Sequence, residues 1–508
     1  MRNMTQDKVI VIGAGMGGLS AAIRLQYAGY QVELFEKQDI PGGKMHQIKA
    51  DGHQFDVGPT LVMMPEVYQS VFHDVGKNPD DYIPLIKLEP MYHVYFKGTP
   101  YRKYSVNNNL IDLMETFEAK GQDNALGFLK YMSAIYERYQ IALNHFIRRP
   151  FRNKTDMYNP FMLRQALKLK TFDSASDMMG KFIPDYDLQN MLSFQTLYIG
   201  VSPTDGPSLY NIIPMIELLY GVWTFEGGMY TMAEQMARLF QELGGTIHYN
   251  SPVEEILIVD KKVQGVQVQG AKHYASYVVC NADFPYAAQE LIEHNQVATK
   301  KYRKENLDNL DYSCSCLVFY WGVDGTFPEL EGHQFIVSEN LKHNMDQIFA
   351  GELLDDPSIY LSIPSHLDPS MAPAGKSSFY LLIPVSELGM AQYPFDEEHI
   401  DYYRQKAFET LANLPGLEDL SKKITLERIM TPNDFAQQFH AYRGATFGLR
   451  PTLRQSNHWR PQAKAKEISG LYFAGSSIHP GAGVPITLES GKISAEELRR
   501  DNPKDDFT

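Results

Sequence analysis

A glycine-rich turn near the start of the chain has the spacing that binds a pyrophosphate. Gly13, Gly15 and Gly18, with Gly17 before the last of them, follow the continuous apolar residues 9–12. Such a run predicts a strand buried on both faces, and the spacing of the apolar residues after the turn predicts a helix. The glycines allow a tight turn, close approach of the backbone to phosphate, and packing of helix on strand. The free N–H groups of the helix then favour negative charge.

An acidic residue stands at the end of the next predicted strand. Residues 32–35 form that strand, and Glu36 follows, 18 residues after Gly18. A carboxylate in this position accepts hydrogen bonds from ribose hydroxyls and disfavours a 2′-phosphate. Lys37 beside it is a further predicted contact. The turn and the acid therefore predict a dinucleotide other than NADP, and a purely structural glycine turn is the alternative.

A second group of small residues lies where a simple NAD-binding fold would begin its next helix. Gly42 and Gly43 come shortly after Glu36, and a short predicted hairpin follows them. This path resembles the second FAD-contacting segment of the amine-oxidase and phytoene-desaturase superfamily, which implies a loop that wraps the flavin. A surface turn is the alternative. The predicted contacts in this segment are Gly43, Lys44, Gly58, Pro59 and Thr60.

The order of strand, glycine-rich turn and helix returns near residue 480. Residues 471–474 are predicted to form the strand, and the helix is predicted to run from about Pro485 to residue 498. Pro485 suits the first helical position, because the N–H that it lacks has no partner there anyway. The start of such a helix collects anions or polarised carbonyl oxygens. The predicted contacts in this segment are Gly475, Ser476, Gly483, Val484 and Pro485.

The segments between these motifs predict how the chain brings them together. Residues 108–240 have mostly helical patterning, and residues 246–285 read as strands with one hairpin. These patterns predict an α/β protein with a discontinuous Rossmann-like domain from residues 1–90, 225–310 and 425–508. Residues 91–224 and 311–424 are predicted to form an inserted mixed α+β substrate domain, with a helical part that faces a membrane.

The composition excludes several classes of protein. The chain of 508 residues has a formal net charge of −14 at pH 7, which argues against binding to nucleic acid. Its three cysteines do not make a disulfide framework, and they fit a reducing compartment. No cluster of cysteine and histidine predicts a metal site. No run of about 18 apolar residues occurs, so we expect a cytoplasmic protein without a membrane span.

One segment departs from the acidic balance of the chain. Residues 138–170 contain eight Lys or Arg and one acid, Asp156. Aromatic and aliphatic residues lie between these bases, partly at helical spacing, as in elements that bind a membrane surface. Arg148, Arg149 and Arg152 are predicted to face anionic head groups. The protein is therefore expected at the inner face of the cell membrane, and a solvated basic face over an ordinary core is the alternative.

Several segments resemble the carotenoid and phytoene desaturase family of FAD flavoproteins, within the amine-oxidase superfamily. They include "GPTLVMMPEVY", "TPNDF" and "HPGAGVP". The chain is similar in particular to the bacterial desaturases of C30 carotenoid synthesis. The resemblance implies FAD as the only dinucleotide and, in "SPVEEI", a backbone contact from Val253 to the adenine. Lys44 and Ser476 depart from the superfamily, which usually has Arg and Asp at these positions.

The resemblance also implies a reaction. Members of the family remove pairs of hydrogens stepwise from a long polyene precursor, such as dehydrosqualene, that is drawn from the membrane. Electrons pass on to a quinone or to oxygen. The flavin carries the hydride transfer, and His479 is the one histidine of the flavin-side motifs that could accept a proton; the alternative is a loop residue fixed by hydrogen bonding. A carotenoid oxidase or oxygenase acting on a terminal methyl group, a non-catalytic isoprenoid-lipid carrier and a soluble amine oxidase remain open.

Overall fold

A computed structural model describes residues 8–169, 173–204, 206–292 and 303–504. Lys170, at the end of the predicted basic segment, lies outside these residues. The strands are β1 (Lys8–Ile12), β2 (Gln31–Phe35), β3 (Gln47–Ala50), β4 (His53–Asp56), β5 (Leu85–Lys87), β6 (Tyr92–Phe96), β7 (Arg102–Val106), β8 (Trp223–Phe225), β9 (Thr246–His248), β10 (Val253–Val259), β11 (Lys262–Val268), β12 (Ala271–Tyr274), β13 (Tyr277–Cys280), β14 (Ser315–Asp324), β15 (His333–Val337), β16 (Ile359–Ser362), β17 (Lys376–Val385), β18 (Ile424–Met430) and β19 (Leu471–Phe473).

The helices of the described residues are distributed along the chain, and between residues 110 and 220 no strand lies among them, as the patterning predicts. They are α1 (Met16–Tyr27), α2 (Pro65–His73), α3 (Leu110–Glu118), α4 (Gln122–Ala142), α5 (Lys154–Met157), α6 (Pro160–Leu169), α7 (Ala175–Gly180), α8 (Tyr186–Met191), α9 (Ile212–Tyr220), α10 (Tyr230–Glu242), α11 (Phe284–Tyr286), α12 (Lys304–Leu307), α13 (Leu341–Ala350), α14 (Pro364–Leu367), α15 (Glu397–Leu411), α16 (Leu420–Lys423), α17 (Pro432–Phe439) and α18 (Val484–Asp501). Within the described residues, none of these helices combines the length and the apolar content that a membrane crossing requires.

A five-stranded parallel sheet carries both glycine turns. Its strand order is β19-β13-β1-β2-β9, with β1 at the centre. Val9, Ile10 and Val11 are fully buried, which explains the continuous apolar run in the sequence. The predicted Rossmann-like α/β domain is confirmed.

The register of this sheet brings the turns to one edge. Ile12 pairs with Cys280, Cys280 pairs with Phe473, and Ile12 also pairs with Phe35. The segments that follow β1, β2, β13 and β19 therefore all leave the sheet at the same level. Ligands of open parallel sheets bind at this carboxyl edge of the strands.

A second, seven-stranded sheet forms the body of the inserted domain. Its strand order is β18-β14-β17-β16-β15-β6-β7. Adjacent strands in it are antiparallel, except that β6 and β15 are parallel. β18 pairs along β14, so residues 424–430 belong to this sheet. The predicted domain boundary at residue 425 falls within β18, and the division into domains stays a prediction.

Two hairpins use the turns that the sequence suggests. β10 and β11 are joined through Asp260 and Lys261, whose φ angles are 49° and 58°. β3 and β4 are joined through Asp51 and Gly52, with φ angles of 49° and 80°. Two successive residues with positive φ form the turn whose twist matches an antiparallel pair, which explains why the chain reverses there.

Helix α18 brings the late part of the chain onto its beginning. A methyl group at Gly491 of α18 would lie 2.2 Å from the carbonyl oxygen of Gly17 in α1. Beside this contact the hydroxyl of Ser20 donates to the carbonyl oxygen of Leu488 at 2.6 Å. The two helices can approach this closely only because a glycine lies at the crossing point.

Replacing Gly491 with alanine should destabilise the fold by forcing α1 and α18 apart. Overpacking of this kind costs about 1–3 kcal/mol. Gly180 in α7 is the matched control, because the nearest atom to its added methyl group is 3.8 Å away. Chemical denaturation of both variants measures the difference. A Gly491→Ala protein as stable as Gly180→Ala would show that the crossing is not close packed.

Candidate functional site

The two early glycine turns meet at the start of α1. Gly13 has a φ of 90°, which makes the tight turn after β1. The backbone N–H of Gly42 donates to the carbonyl oxygen of Ala14 at 2.9 Å. A methyl group at Gly43 would lie 3.4 Å from the Cα atom of Gly15. Both turns thus expose backbone without side chains at the N-terminus of α1. The free N–H groups of a helix N-terminus favour binding of phosphate.

Asn281 occupies the remaining side of this turn, and the sequence analysis missed it. It follows β13 at the carboxyl edge, and its N–H donates to the carbonyl oxygen of Ile12 at 2.9 Å. Methyl groups added at Gly15 and Gly17 would lie 2.7 Å from its Nδ2 and 2.6 Å from its Oδ1. A larger residue at Gly15 or Gly17 would therefore collide with the Asn281 side chain, in addition to taking the room that a ligand would need. Its place directly after a strand parallel to β1 is the signal that could have identified it.

Glu36 lies where the prediction places it, at the end of β2. Its Oε2 accepts from the N–H of Ala14 at 2.6 Å, and its Oε1 accepts from the N–H of Gln38 at 2.8 Å. Burial raises the pKa of this carboxyl above its usual range. Burial also lowers the pKa of Lys37 to about 8. The two backbone bonds fix the carboxylate and leave further lone pairs for a ligand.

Lys44 is half-buried and is directed to protein atoms. Its Nζ donates to the carbonyl oxygen of Thr446 at 2.7 Å. Burial lowers the pKa of this ammonium group, and the nearby Asp283 carboxylate opposes that shift. Its predicted role as a cofactor ligand stays a prediction. The same holds for Gly58, Pro59 and Thr60, which line the same cavity as Lys44.

Asp283 supplies a carboxylate beside the loop that follows β19. Its Oδ1 accepts from the hydroxyl of Ser477 at 2.8 Å, and its Oδ2 accepts from the N–H of Tyr442 at 2.9 Å. The buried guanidinium of Arg460 donates to the carbonyl oxygen of Ser476 at 2.6 Å. An acid from the neighbouring strand end thus lies next to Ser476, where the superfamily usually has its own Asp.

His479 is fixed by a hydrogen bond rather than presented to a ligand. Its Nε2 lies 2.9 Å from the carbonyl oxygen of Arg149, so Nε2 carries the hydrogen. Nδ1 is buried without a hydrogen-bond partner, and burial lowers the pKa of the ring to about 4. The role of His479 as a proton acceptor stays a prediction, and the bond to Arg149 also fits the alternative, a loop residue fixed by hydrogen bonding.

A cavity of about 770 Å³ joins the glycine turns to the helical insert. Its polar end is lined by most of the predicted cofactor contacts: Gly13, Gly15, Glu36, Lys37, Gly43, Lys44, Gly58, Pro59, Thr60, Val253, Gly475, Ser476, Gly483, Val484 and Pro485. Gly17 and Gly18 are not among the residues that line it. Its other end is apolar. The described residues of the insert that line it are Tyr139, Ala142, Phe146, Ile147, Met157, Ala166, Leu169, Phe194, Ile199, Pro207, Leu209, Tyr210, Ile212, Ile213 and Ile216. Since this list contains no ionised side chain, that end suits an uncharged ligand.

The cavity reaches the surface between α6 and the residues near 455. Leu453 and Trp459 line it, yet they are 48% and 47% exposed. On α6, Ala166 and Leu169 line the cavity while Leu167 is 69% exposed. An apolar ligand can therefore enter at a place where large apolar side chains already meet solvent.

Two of the three predicted head-group arginines are paired with carboxylates of α18. The Nε atom of Arg148 lies 3.2 Å from Glu489, and that of Arg152 lies 2.9 Å from Glu497. Both glutamates are almost fully buried. Both arginine side chains are still 42% exposed, and the predicted contacts of Arg148, Arg149 and Arg152 with head groups stay predictions.

Several solved structures share this fold. An oxidoreductase from Methanosarcina mazei is similar with a TM-score of 0.66 and 18% identity, over 96% of this chain and 100% of that one. A double mutant of putrescine oxidase is similar with a TM-score of 0.63 and 14% identity, over 97% and 99%. At 18% and 14% identity, this similarity establishes the fold and not the activity.

Sequence relatives define the family. The flavin-containing amine oxidoreductase family matches residues 16–499. A 4,4′-diapophytoene desaturase (4,4′-diaponeurosporene-forming) of Staphylococcus aureus strain Newman is 42% identical over 97% of this chain and 99% of its own. One from Staphylococcus haemolyticus is 40% identical over the same shares. The chain belongs to the flavin-containing amine oxidoreductase family and, within it, groups with these desaturases.

The site fits the FAD of this family. The bare backbone at Gly15 and Gly43 leaves room for a pyrophosphate, the fixed carboxylate of Glu36 can hold a ribose, and Val253 lines the wall near Glu36. The start of α18 at Val484 borders the same cavity. When bound, FAD supplies an acceptor for a hydride, and the protein supplies binding, orientation and a dry site.

Exchanging Glu36 for glutamine should weaken FAD binding without unfolding the protein. A hydrogen bond to a charged group contributes roughly 1.5–3 kcal/mol, so the Kd should rise about 10- to 100-fold. Glu33→Gln on the same strand is the control, because its carboxylate pairs with Lys8 at the surface. Titration of apoprotein with FAD, followed by fluorescence, measures both. Equal Kd values for Glu36→Gln and wild type would contradict the ribose contact.

Proposed function

We propose that this protein is an FAD-dependent desaturase that converts a C30 carotenoid precursor, dehydrosqualene (4,4′-diapophytoene), stepwise to a conjugated polyene such as 4,4′-diaponeurosporene. The observation that carries the proposal is the single cavity that joins a flavin site to an uncharged, aromatic and aliphatic tunnel. The names of relatives that cover nearly the whole chain support the same substrate class.

The tunnel would do most of what this reaction asks of the protein. A hydride leaves an allylic carbon with both bonding electrons, a proton leaves the neighbouring carbon, and the remaining electron pair forms the new double bond. The chain of the substrate must lie in one orientation against the cofactor, and water must stay out. Side chains such as Phe146, Phe194 and Ile213 can do both, since they bind by apolar contact alone. A quinone or oxygen is the proposed final acceptor of the electrons.

Three other functions are separated by simple measurements. A carotenoid oxidase or oxygenase adds oxygen to its product, whereas a desaturase removes two hydrogens per step, so product mass distinguishes them. A lipid carrier would release no flavin on heating, and the complete glycine cradle disfavours it. An amine oxidase would produce peroxide from amines, and the uncharged tunnel offers no carboxylate to bind an ammonium group.

A peripheral membrane contact would deliver the substrate, and α6 is the part that fits it. Phe161, Leu163 and Leu167 are 52%, 45% and 69% exposed, and Arg164 and Lys168 stand between and beside them. Large exposed apolar groups with basic neighbours suit the boundary between head groups and acyl chains. α6 also borders the mouth of the cavity, so its inner face would meet a lipid as it leaves the bilayer.

Cells that accumulate colourless dehydrosqualene should become yellow when they express this protein. Each added conjugated double bond moves absorption to longer wavelength, so spectra and masses of the extracted pigments count the steps. The Gly15→Val variant is the negative control, because its side chain would collide with Asn281 and block the cofactor site. Extracts that stay colourless while the purified protein carries FAD would reject the proposed substrate.

Placing glutamates on α6 should release the protein from anionic vesicles. Phe161→Glu/Leu167→Glu removes two apolar contacts and adds two repelled charges, so partitioning should fall about tenfold or more. Val259→Glu/Tyr274→Glu is the matched control, because both residues are 57% exposed in the three-stranded sheet and away from the cavity. Co-sedimentation with liposomes measures binding. Equal losses in both pairs would show that α6 has no special role.

A further inference from the structure

The proposed desaturation releases a proton into a cavity that offers few groups to take it. Lys44 already donates a hydrogen to the carbonyl oxygen of Thr446, and the Nδ1 atom of His479 is buried. Burial raises the pKa of the cavity thiol Cys316 to about 12, which keeps that group protonated. Asp283 accepts one hydrogen bond at each oxygen and keeps further lone pairs, so its carboxylate is the alternative acceptor for the proton. The structure offers a second way out.

One chain of hydrogen bonds leaves the cavity through the second sheet. The hydroxyl of Thr60 lies 2.5 Å from the hydroxyl of Tyr360, and that hydroxyl lies 2.8 Å from Nδ1 of His333. Thr60 and Tyr360 line the large cavity. His333 lines a separate gap of about 30 Å³, which Asp56 and Asp368 also border. The three side chains thus connect the cavity with a space large enough for a water molecule.

From this arrangement, and resting on the proposed desaturase function, we propose that Thr60, Tyr360 and His333 form the exit path for the proton that the substrate loses. The substrate C–H bond breaks, its electrons form the new double bond, and the proton passes to the hydroxyls that face the cavity. Tyr360 hands a proton to Nδ1 of His333, and Nε2 releases one to the gap beside Asp56 and Asp368. The hydride goes to FAD, so charge and electrons balance.

The geometry gives every member of the path a donor and an acceptor. Both short distances are satisfied when Thr60 donates to Tyr360 and Tyr360 donates to Nδ1 of His333. Nε2 then carries the hydrogen, and this atom is buried without a hydrogen-bond partner. Tyr360 is held in place by its ring stack on Phe335, with centroids 4.6 Å apart. A hydroxyl that accepts one proton can therefore pass its own to the next group.

The pKa values along the path favour release of the proton over its retention by His333. A carbon next to an allylic cation is a far stronger acid than a protonated hydroxyl or imidazolium, so weak bases suffice to accept the proton. Burial lowers the pKa of His333 to about 3, so the ring does not hold the proton. Burial raises the pKa of Asp56 to about 6, although it accepts from the N–H groups of Met229 and Tyr230. That carboxylate can therefore receive a proton near neutral pH and return it to water.

Anaerobic stopped-flow measurement of flavin reduction by the precursor in vesicles tests the path. Thr60→Val, Tyr360→Phe and His333→Asn each remove one link and keep its shape. The asparagine amide still accepts from Tyr360 but takes up no proton. Each variant should reduce its flavin about 100-fold more slowly, as expected for loss of general acid-base assistance. Wild-type reduction should be slower in D2O than in H2O, and Tyr360→Phe should lose that difference.

Two comparisons distinguish loss of the proton path from general damage to the protein. The double variant Tyr360→Phe/His333→Asn should be no slower than the slower single variant, because links of one path act as a unit. Tyr320→Phe is the control, since it removes a buried hydroxyl of the same sheet that bonds to the carbonyl oxygen of Val57 and does not line the cavity. It should reduce its flavin at the wild-type rate. FAD content and melting temperature should stay at wild-type values in Tyr360→Phe and His333→Asn, and the rate of Thr60→Val is measured on protein saturated with FAD because Thr60 is also a predicted cofactor contact.

A second readout does not need the substrate. Nitrogen NMR of histidine-labelled protein should show one ring, absent in His333→Asn, with the hydrogen on Nε2, and Tyr360→Phe should shift its Nδ1 signal. A ring with the hydrogen on Nδ1 would overturn the path. So would Thr60→Val and Tyr360→Phe rates within about threefold of wild type, well short of the general acid-base range, or an Asp283→Asn variant that alone loses the D2O effect. If the wild-type enzyme leaves the precursor colourless, the proposed function is rejected. The NMR measurement needs no substrate, so it still shows whether the hydrogen-bonded path is present.

Discussion

The close contact between α1 and α18 is the constraint on which the rest of the site depends. Gly17 and Gly491 let two backbones touch where any side chain would separate them. That contact holds α18 so that its first turn borders the cavity whose other wall is the first turn of α1. The parallel register of β1, β13 and β19 supports the same arrangement from below, because it brings three strand ends to one level. Helices and strands hold residues more precisely than loops do, so a flavin site made of loops alone would be less precisely arranged.

The cavity shows how few polar groups such a reaction uses and how firmly the protein holds them. Glu36, Asp283 and His479 are each tied by hydrogen bonds to backbone or hydroxyl groups, so none of them can move freely. The wall at the tunnel end is apolar and offers the substrate only shape. Orientation then comes from packing, and in the proposed path the proton leaves by hydroxyls and a neutral ring rather than by a free carboxylate. This division fits chemistry in which the cofactor supplies the reactive group.

The sequence predicted the features that depend on local spacing. Gly13 to Gly18, Glu36 and the hairpin turns lie where the residues indicate, because turn geometry and strand ends are encoded within a few positions. Features that join distant segments could not be predicted in the same way. β18 pairs with β14 across about a hundred residues, and Arg148 and Arg152 find their carboxylates 341 and 345 residues away. A basic run in a sequence carries no sign of such partners, and the same limit hid the meeting of Thr60, Tyr360 and His333.

The discontinuous cofactor domain also sets an order for biosynthesis. Chains fold from the N-terminus as they leave the ribosome, at about 5–20 residues per second. Until residues 471–491 emerge, β13 lacks its outer neighbour and α1 lacks the helix that covers it. The nascent chain therefore exposes an apolar sheet edge and an empty phosphate turn for most of its synthesis. FAD can complete its binding site only near the end of translation, which makes flavin supply and chaperone protection joint determinants of how much active protein a cell obtains.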